Sequence, residues 1–217
     1  KQNKPDESLT ILENLYRTRP EIKRYLYDYV AISSWSGKHE QAVSEASLNL
    51  AIAPAYVLKA VAASQRYLKN YDASIKAYDF VIQRFPKRTD AQLARANTLI
   101  DAKRYPEAEA GLSSLQKQFP RRVDVMASVI RWSDGAKSPI NTLTASEKLL
   151  KVDPNNAFAL KMRYHALKKL GAVHLAARLT PDSILSTAEQ KADKRDKLAF
   201  ELRWSRINAD RLEQDSR

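Results

Sequence analysis

Apolar residues return at spacings of three and four along nearly the whole chain, in helix-length blocks closed by prolines. Leu9, Leu12, Leu15 and Tyr16 form one such block, and Ile22, Tyr25, Leu26, Tyr29 and Ile32 form the next. The clearest stretch runs from Ala53 to Pro86. It holds Leu58, Val61, Ala62 and Leu68, then a turn at Lys69-Asn70-Tyr71-Asp72, then Ser74, Ala77, Tyr78 and Val81. A residue that precedes proline is pushed out of helical geometry, so each proline predicts a helix end. Prolines at 20, 54, 86, 120 and 154 are separated by 34, 32, 34 and 34 residues.

Two amphipathic helices per 34 residues is the period of a tetratricopeptide-type repeat, in which each hairpin buries its apolar face on its neighbours. The predicted fold is all-α: a right-handed superhelical solenoid of such hairpins with a C-terminal capping helix. Residues 1–20 are expected to hold the second helix of a truncated repeat, with Lys1–Pro5 frayed. Residues 21–153 are expected to hold four repeats. The repeat Ala55–Phe85 is two residues short, which predicts a trimmed first helix or turn. Gly37 falls in an inter-helix turn that asks for a left-handed residue. Ala42, Ala46, Ala96 and Ala108 are small residues where helices approach. The fourth repeat is the most degenerate, with an irregular turn over Ser133–Pro139 and Ser138 as N-cap before Pro139. Residues 154–181 read as a degenerate final hairpin, Ala157–Leu170 and Val173–Leu179, interrupted by Gly171. Residues 182–217 read as the capping helix, opened by the capping box Ser186-Thr187-Ala188-Glu189. Leu198, Leu202, Ala209 and Leu212 form one narrow apolar stripe on it, and Phe200, Trp204 and Ile207 another.

Composition narrows the function classes. Lys and Arg number 37 against 25 Asp and Glu, a net charge of +12. That balance favours anionic partners in general. The absence of cysteine excludes disulfides, thiolate metal sites and a cysteine nucleophile. No run is apolar enough for a membrane-spanning helix. The chain opens partway through a repeat, which is expected of a fragment of a longer protein; removal of a signal peptide and the absence of further domains both stay open.

Catalysis has little support. The three histidines, His39, His165 and His174, fall on different helices and predict no metal site and no cofactor. The sequence contains no nucleophile elbow, no P-loop and no H-E-x-x-H. Asp101 and Glu107 sit at turns, as solvated charges do. Binding has more support. The first helices of stacked repeats line a concave face, and in this register the lining positions include Arg24, Tyr27, Trp35, Tyr56, Lys59, Arg66 and Tyr67. Asp90, Asn97, Asp101, Arg131, Asp134, Lys161, His165 and Lys168 follow. Flat aromatic faces beside hydrogen-bonding groups suit an extended peptide or the apolar faces of sugar rings; packing between repeats is the competing role for each aromatic. The Lys and Asn set that clamps a C-terminal carboxylate in chaperone-type repeats is missing, since its positions hold Tyr27/Ala31, Lys59/Ala63 and Leu93/Asn97. A second feature is Ala157–Thr180, with Lys161, Arg163, Lys168, Lys169 and Arg178 and no acidic residue. It reads as a basic docking patch or as a solvated face. It lacks the groove-reading helix or stacking platform of nucleic-acid binders.

Three segments together resemble one family. They are Ser34-Trp35-Ser36-Gly37, the run Ala53-Pro54-Ala55-Tyr56-Val57-Leu58-Lys59-Ala60-Val61-Ala62, and the final hairpin from Tyr164 through Leu179-Thr180-Pro181 into Lys197–Trp204. Their order is similar to the periplasmic repeat region of the outer-membrane exporters of poly-β-1,6-N-acetylglucosamine, a biofilm exopolysaccharide. The resemblance implies a periplasmic domain of an outer-membrane protein whose C-terminal β-barrel is not in this sequence. It implies a non-enzymatic scaffold that recruits the periplasmic polysaccharide deacetylase, guides the polymer, or both. The partly deacetylated polymer is itself cationic, so the basic balance of this chain fits an acidic protein partner or an anionic membrane surface better than the polymer. The alternative is a generic tetratricopeptide peptide-binding adaptor of another bacterial assembly.

Overall fold

A computed structural model describes residues 5–46 and 52–215. Lys1–Lys4, expected to fray, lie outside those residues. The described residues form twelve α-helices and no strand, and they divide into two compact units, 1–118 and 119–217.

The first unit starts with α1 (Pro5–Thr18) and continues with three hairpins: α2 (Lys23–Trp35) with α3 (His39–Glu45), α4 (Ala55–Tyr67) with α5 (Tyr71–Arg84), and α6 (Thr89–Asp101) with α7 (Tyr105–Gln118). Its core gathers the predicted Leu58, Val61, Ala62, Tyr78 and Val81 in one cluster with Val30, Val57 and Ala91, while the expected Ile22, Tyr25, Leu26, Ile32 and Leu68 are only half-buried. Ala42, Ala46, Ala96 and Ala108, the small residues expected where helices approach, are all buried. The second unit holds α8 (Val123–Gly135) with α9 (Pro139–Val152), α10 (Ala157–Lys169) with α11 (Val173–Leu179), a 3-10 turn (Asp182–Ile184) and α12 (Thr187–Asp215). Met126, Ile130, Ala145, Leu149 and Ala159 form one core cluster, and Tyr164, Leu167, Ala176 and Leu185 another.

Every hairpin turns in the same way. The first helix closes on a residue with positive φ, at Gly37 (80°), Lys69 (63°), Lys103 (59°), Lys137 (58°) and Gly171 (82°). The next amide reaches back to the carbonyl five residues earlier, as in Lys38 N–H to Ser33 C=O (2.8 Å), Asn70 to Gln65 (2.8 Å), Arg104 to Leu99 (2.8 Å), Ser138 to Ser133 (3.0 Å) and Ala172 to Leu167 (2.9 Å). This is the Schellman closure, which satisfies carbonyls that the helix end would leave open. The turn over Ser133–Pro139 is therefore as regular as the others, contrary to the irregular turn expected there. Pro139 does open α9, but the Ser138 side chain makes no capping hydrogen bond.

The short repeat is also relocated. The first helices begin at 23, 55, 89, 123 and 157, so the 32-residue step precedes α4 rather than following it. Helix α4 has the same 13 residues as α6, and nothing in its hairpin is trimmed. From the start of α3 to the start of α4 is 16 residues, against 18 from α5 to α6. Pro54 misled the count because it caps α4 directly in an extended conformation (φ −60°, ψ 155°), whereas Pro86 lies three residues before α6.

Helix α12 opens on the expected capping box: the Ser186 N–H and hydroxyl both donate to Glu189 Oε2 (2.7 and 2.6 Å). Those bonds hold the Glu189 carboxyl below the usual carboxylate range. The expected apolar stripe behaves differently. Leu198 and Leu202 are exposed, and the side chains of Ala209, Leu212, Phe200, Trp204 and Ile207 lie outside the described residues.

Candidate functional site

In the first unit, α2, α4 and α6 are linked from helix to helix by polar bridges. The Tyr56 hydroxyl donates to Asp28 Oδ1 (2.7 Å), Lys59 pairs with Asp90, and Arg66 pairs with Asp101 (2.6 Å). Burial alone pushes the Tyr56 phenol up, and the Asp28 carboxylate adds to it, to about 12. Burial works against the Asp90 carboxylate, but the Lys59 ammonium outweighs it and holds that carboxyl below its ordinary value. Lys59 and Arg66, expected to meet a partner, are thus committed to braces within the fold. Asp101, read as a solvated turn charge, is the other half of one brace. Asn97 is half-buried, and Arg24 reaches Asp28 (3.5 Å) from a largely exposed position.

The aromatics divide differently. Trp35 is 70% exposed and Tyr67 71%, at the last position of α2 and α4 respectively. Large aromatic side chains left this open are unusual in a core and common at binding surfaces. Tyr27 instead lines an apolar cleft of about 370 Å³ with Tyr16, Pro20, Ile22 and Leu26. A second cleft, of about 300 Å³, brings Trp35, Tyr56 and Lys59 together with Ala60, Ala63, Tyr78, Asp90 and Ala94. Tyr78 comes from α5 and was legible in the sequence only as a packing residue, since its ring does sit in the core. Its hydroxyl makes no hydrogen bond among the described residues, and burial pushes its pKa up to about 12.

His39 opens α3 beside these helices and stacks on Tyr67 with ring centroids 3.9 Å apart. Its tautomer follows from a chain of hydroxyls. Ser34 Oγ donates to Ala60 C=O (2.9 Å), and Ser64 Oγ donates to Ser34 Oγ (2.9 Å). The Ser64 proton is thereby used, so the 3.1 Å contact to His39 Nδ1 requires Nδ1–H to donate to Ser64. The pair is then not a base beside a nucleophile: the hydroxyl proton points inward and Ser64 is fully buried. No three His, Asp or Glu side chains converge as a metal site among the described residues.

In the second unit the basic stretch does not form one open patch. Lys168 lies 3.1 Å from Asp193, 3.2 Å from Asp196 and over the Tyr164 ring, and Lys169 pairs with Asp134 (2.7 Å). Arg163 donates to the Leu179 carbonyl, and Lys161 remains exposed. The acids that α10 and α11 lack are supplied by α8 and α12. Burial disfavours the Lys168 ammonium, but its bonds to Asp193 and Asp196 outweigh that and raise its pKa. Asp193 is itself buried and also accepts from the Tyr164 hydroxyl (2.6 Å), while His165 Nε2 lies 3.4 Å from Glu189. Asp193 had no sequence signal as a structural residue; it looks like any charge on a charged helix.

Comparison with known proteins agrees with this architecture. Residues 67–129 match the model of the tetratricopeptide repeat. No curated protein matches the sequence. A tetratricopeptide repeat protein from Parabacteroides merdae is similar in structure, at 15% identity over 79% of this chain and 69% of that one, with a TM-score of 0.68. MamA of strain AMB-1 is similar over 78% of this chain and 96% of its own, at 14% identity and a TM-score of 0.60. MamA from Desulfovibrio magneticus RS-1 is similar over 82% and 92%, at 16% identity and a TM-score of 0.54. By sequence over residues 67–129, and by fold more widely, this chain is an all-helical array of tetratricopeptide-type hairpins.

Proposed function

We propose that this chain is a non-catalytic binding scaffold and that the first-helix face of its first unit receives a protein partner. The observation that carries this is the pair Trp35 and Tyr67, both open to solvent at equivalent ends of adjacent helices, with a narrow cleft beside Trp35. Arrays of this repeat present extended surfaces to other proteins. In the finer reading, the scaffold is periplasmic and serves an outer-membrane exporter of poly-β-1,6-N-acetylglucosamine, where it recruits the polysaccharide deacetylase, guides the polymer, or both. The order of Ser34–Gly37, Ala53–Ala62 and the final hairpin supports that reading. The braces at Lys59 and Arg66 shift the expected contacts toward Trp35, Tyr67 and Arg24, and away from a free basic groove.

The test is binding of the chain to the deacetylase and, separately, to acetylated and partly deacetylated β-1,6-linked oligomers, at low and high salt. Contact through aromatic faces changes little with salt, whereas a charge-driven contact weakens as salt rises. Trp35→Ala with Tyr67→Ala is expected to lower affinity about tenfold or more with the helical circular dichroism unchanged. Unchanged affinity for every ligand in the folded double variant refutes the assignment of this face.

A further inference from the structure

The cleft beside Trp35 presents a hydroxyl that has no hydrogen-bond partner among the described residues. Tyr78 is 3% exposed and its hydroxyl makes no hydrogen bond among the described residues, yet it lines a space of about 300 Å³. The ring is held in the core while the hydroxyl opens into the cleft, where it is free to donate to whatever enters. Its high pKa keeps it protonated, hence a donor, across the physiological range.

The rest of the lining restricts what answers that donor. Lys59 and Asp90 face the cleft as an ion pair, so their formal charges cancel. An incoming charge there meets groups of both signs, Arg88 also lying 3.6 Å from Asp90, and still loses its hydration. Ala60, Ala63 and Ala94 leave room for a side chain of moderate size, and the indole of Trp35 gives a flat apolar face at the rim.

We propose that this cleft is a subsite for a neutral amide side chain, glutamine or asparagine, presented by an extended polypeptide lying on the first-helix face. The amide carbonyl accepts the Tyr78 hydroxyl proton, the amide N–H group donates to the Asp90 carboxylate, and the methylenes pack on the alanines and Trp35. A glutamate in the same place sets its carboxylate against Asp90. A methionine fills the space and leaves Tyr78 unbonded. The proposal rests on the scaffold reading above and adds a residue preference to it.

The experiment titrates the isotopically labelled chain with Ac-Gly-Xaa-Gly-NH2 peptides, where Xaa is Gln, Asn, Met or Glu, and follows the Trp35 indole and the methyl groups of Ala60, Ala63 and Ala94 by NMR. The Gln or Asn peptide is expected to bind about fivefold more tightly than Met or Glu, the discrimination of one net hydrogen bond. Tyr78→Phe is expected to abolish that preference while thermal unfolding is unchanged or higher, since the hydroxyl bonds nothing in the free chain. Three results overturn the proposal: equal binding of Met and Gln, a preference that survives Tyr78→Phe, or no cleft shift with any peptide. A partner that still depends on Trp35 and Tyr67 in any of those cases leaves the scaffold reading standing, so the two fail separately.

Discussion

Exchanging Lys69, Lys103 or Lys137 for glycine is expected to stabilise the chain, and exchanging Gly37 or Gly171 for alanine to destabilise it. All five occupy the same left-handed turn position, with φ between 58° and 82°. An L-residue there costs roughly 1–2 kcal/mol relative to right-handed backbone, while glycine gives back roughly 0.4–1 kcal/mol through its freer unfolded chain. The net expectation is a gain of about 0.5–1 kcal/mol for each Lys→Gly and a loss of similar size, about 1 kcal/mol, for each Gly→Ala. The glycine sites isolate the backbone term, because a Cβ added at Gly37 or Gly171 meets no atom within 4 Å. Urea unfolding followed by circular dichroism measures each change, with single variants compared because repeat arrays need not unfold in one step. Lys→Ala at the same three positions is the control. It removes the charge and keeps the strain, so it should bring no gain. If Lys→Ala stabilises as much as Lys→Gly, relief of the +12 net charge is responsible and the conformational reasoning is wrong.

Three further outcomes follow from the bridges. Tyr164→Phe should cost about 2 kcal/mol, because it removes a hydrogen bond to a buried carboxylate, and in an Asp193→Ala background the same change should be nearly silent in a double-mutant cycle. Asp90 has a folded-state pKa below its unfolded value, so its pair with Lys59 contributes above pH of about 4 and is lost as pH falls through the folded value. Asp90→Asn should therefore flatten the acid limb of a stability–pH curve and leave the alkaline limb alone. Arg66→Ala and Asp101→Ala should each weaken the first unit, while the exchange Arg66→Asp with Asp101→Arg should recover most of the loss. The pair Asp134 and Lys169 already shows the reversed order at the corresponding positions of the second unit, so an exchange that fails to recover stability would sink the equivalence of the two bridges.

Helix boundaries were the most legible part of the chain, because glycine and proline punctuate them: α11 ends at Leu179 before Pro181, and Gly171 takes the left-handed turn. The three turn lysines were not legible, since lysine carries no preference for that conformation and only the register of neighbouring turns reveals it. Trp35 and Tyr67 were placed on one face by periodicity, but their openness depended on what the next hairpin covers. Lys59, Arg66 and Lys168 looked like free cations because each partner lies on another helix, 25 to 35 residues away in sequence. Tyr78 sits on the buried stripe of α5, and nothing in a pattern of apolar positions shows that its hydroxyl opens into a cleft.

Pro54 also decides where this chain can be cut. A linker of four residues joins α1 to α2, α5 to α6, α7 to α8 and α9 to α10. Excising residues 23–54, a module of 32, would lead Arg19, Pro20, Glu21 and Ile22 straight into α4 and restore both that linker and the proline three residues ahead of the helix. Excising the nominal 34 would leave a linker two residues shorter, or would remove two residues from α4 and turn its buried stripe by about 200°. A shortened array built on the proline spacing would therefore be out of phase, and one built on the helix starts would not.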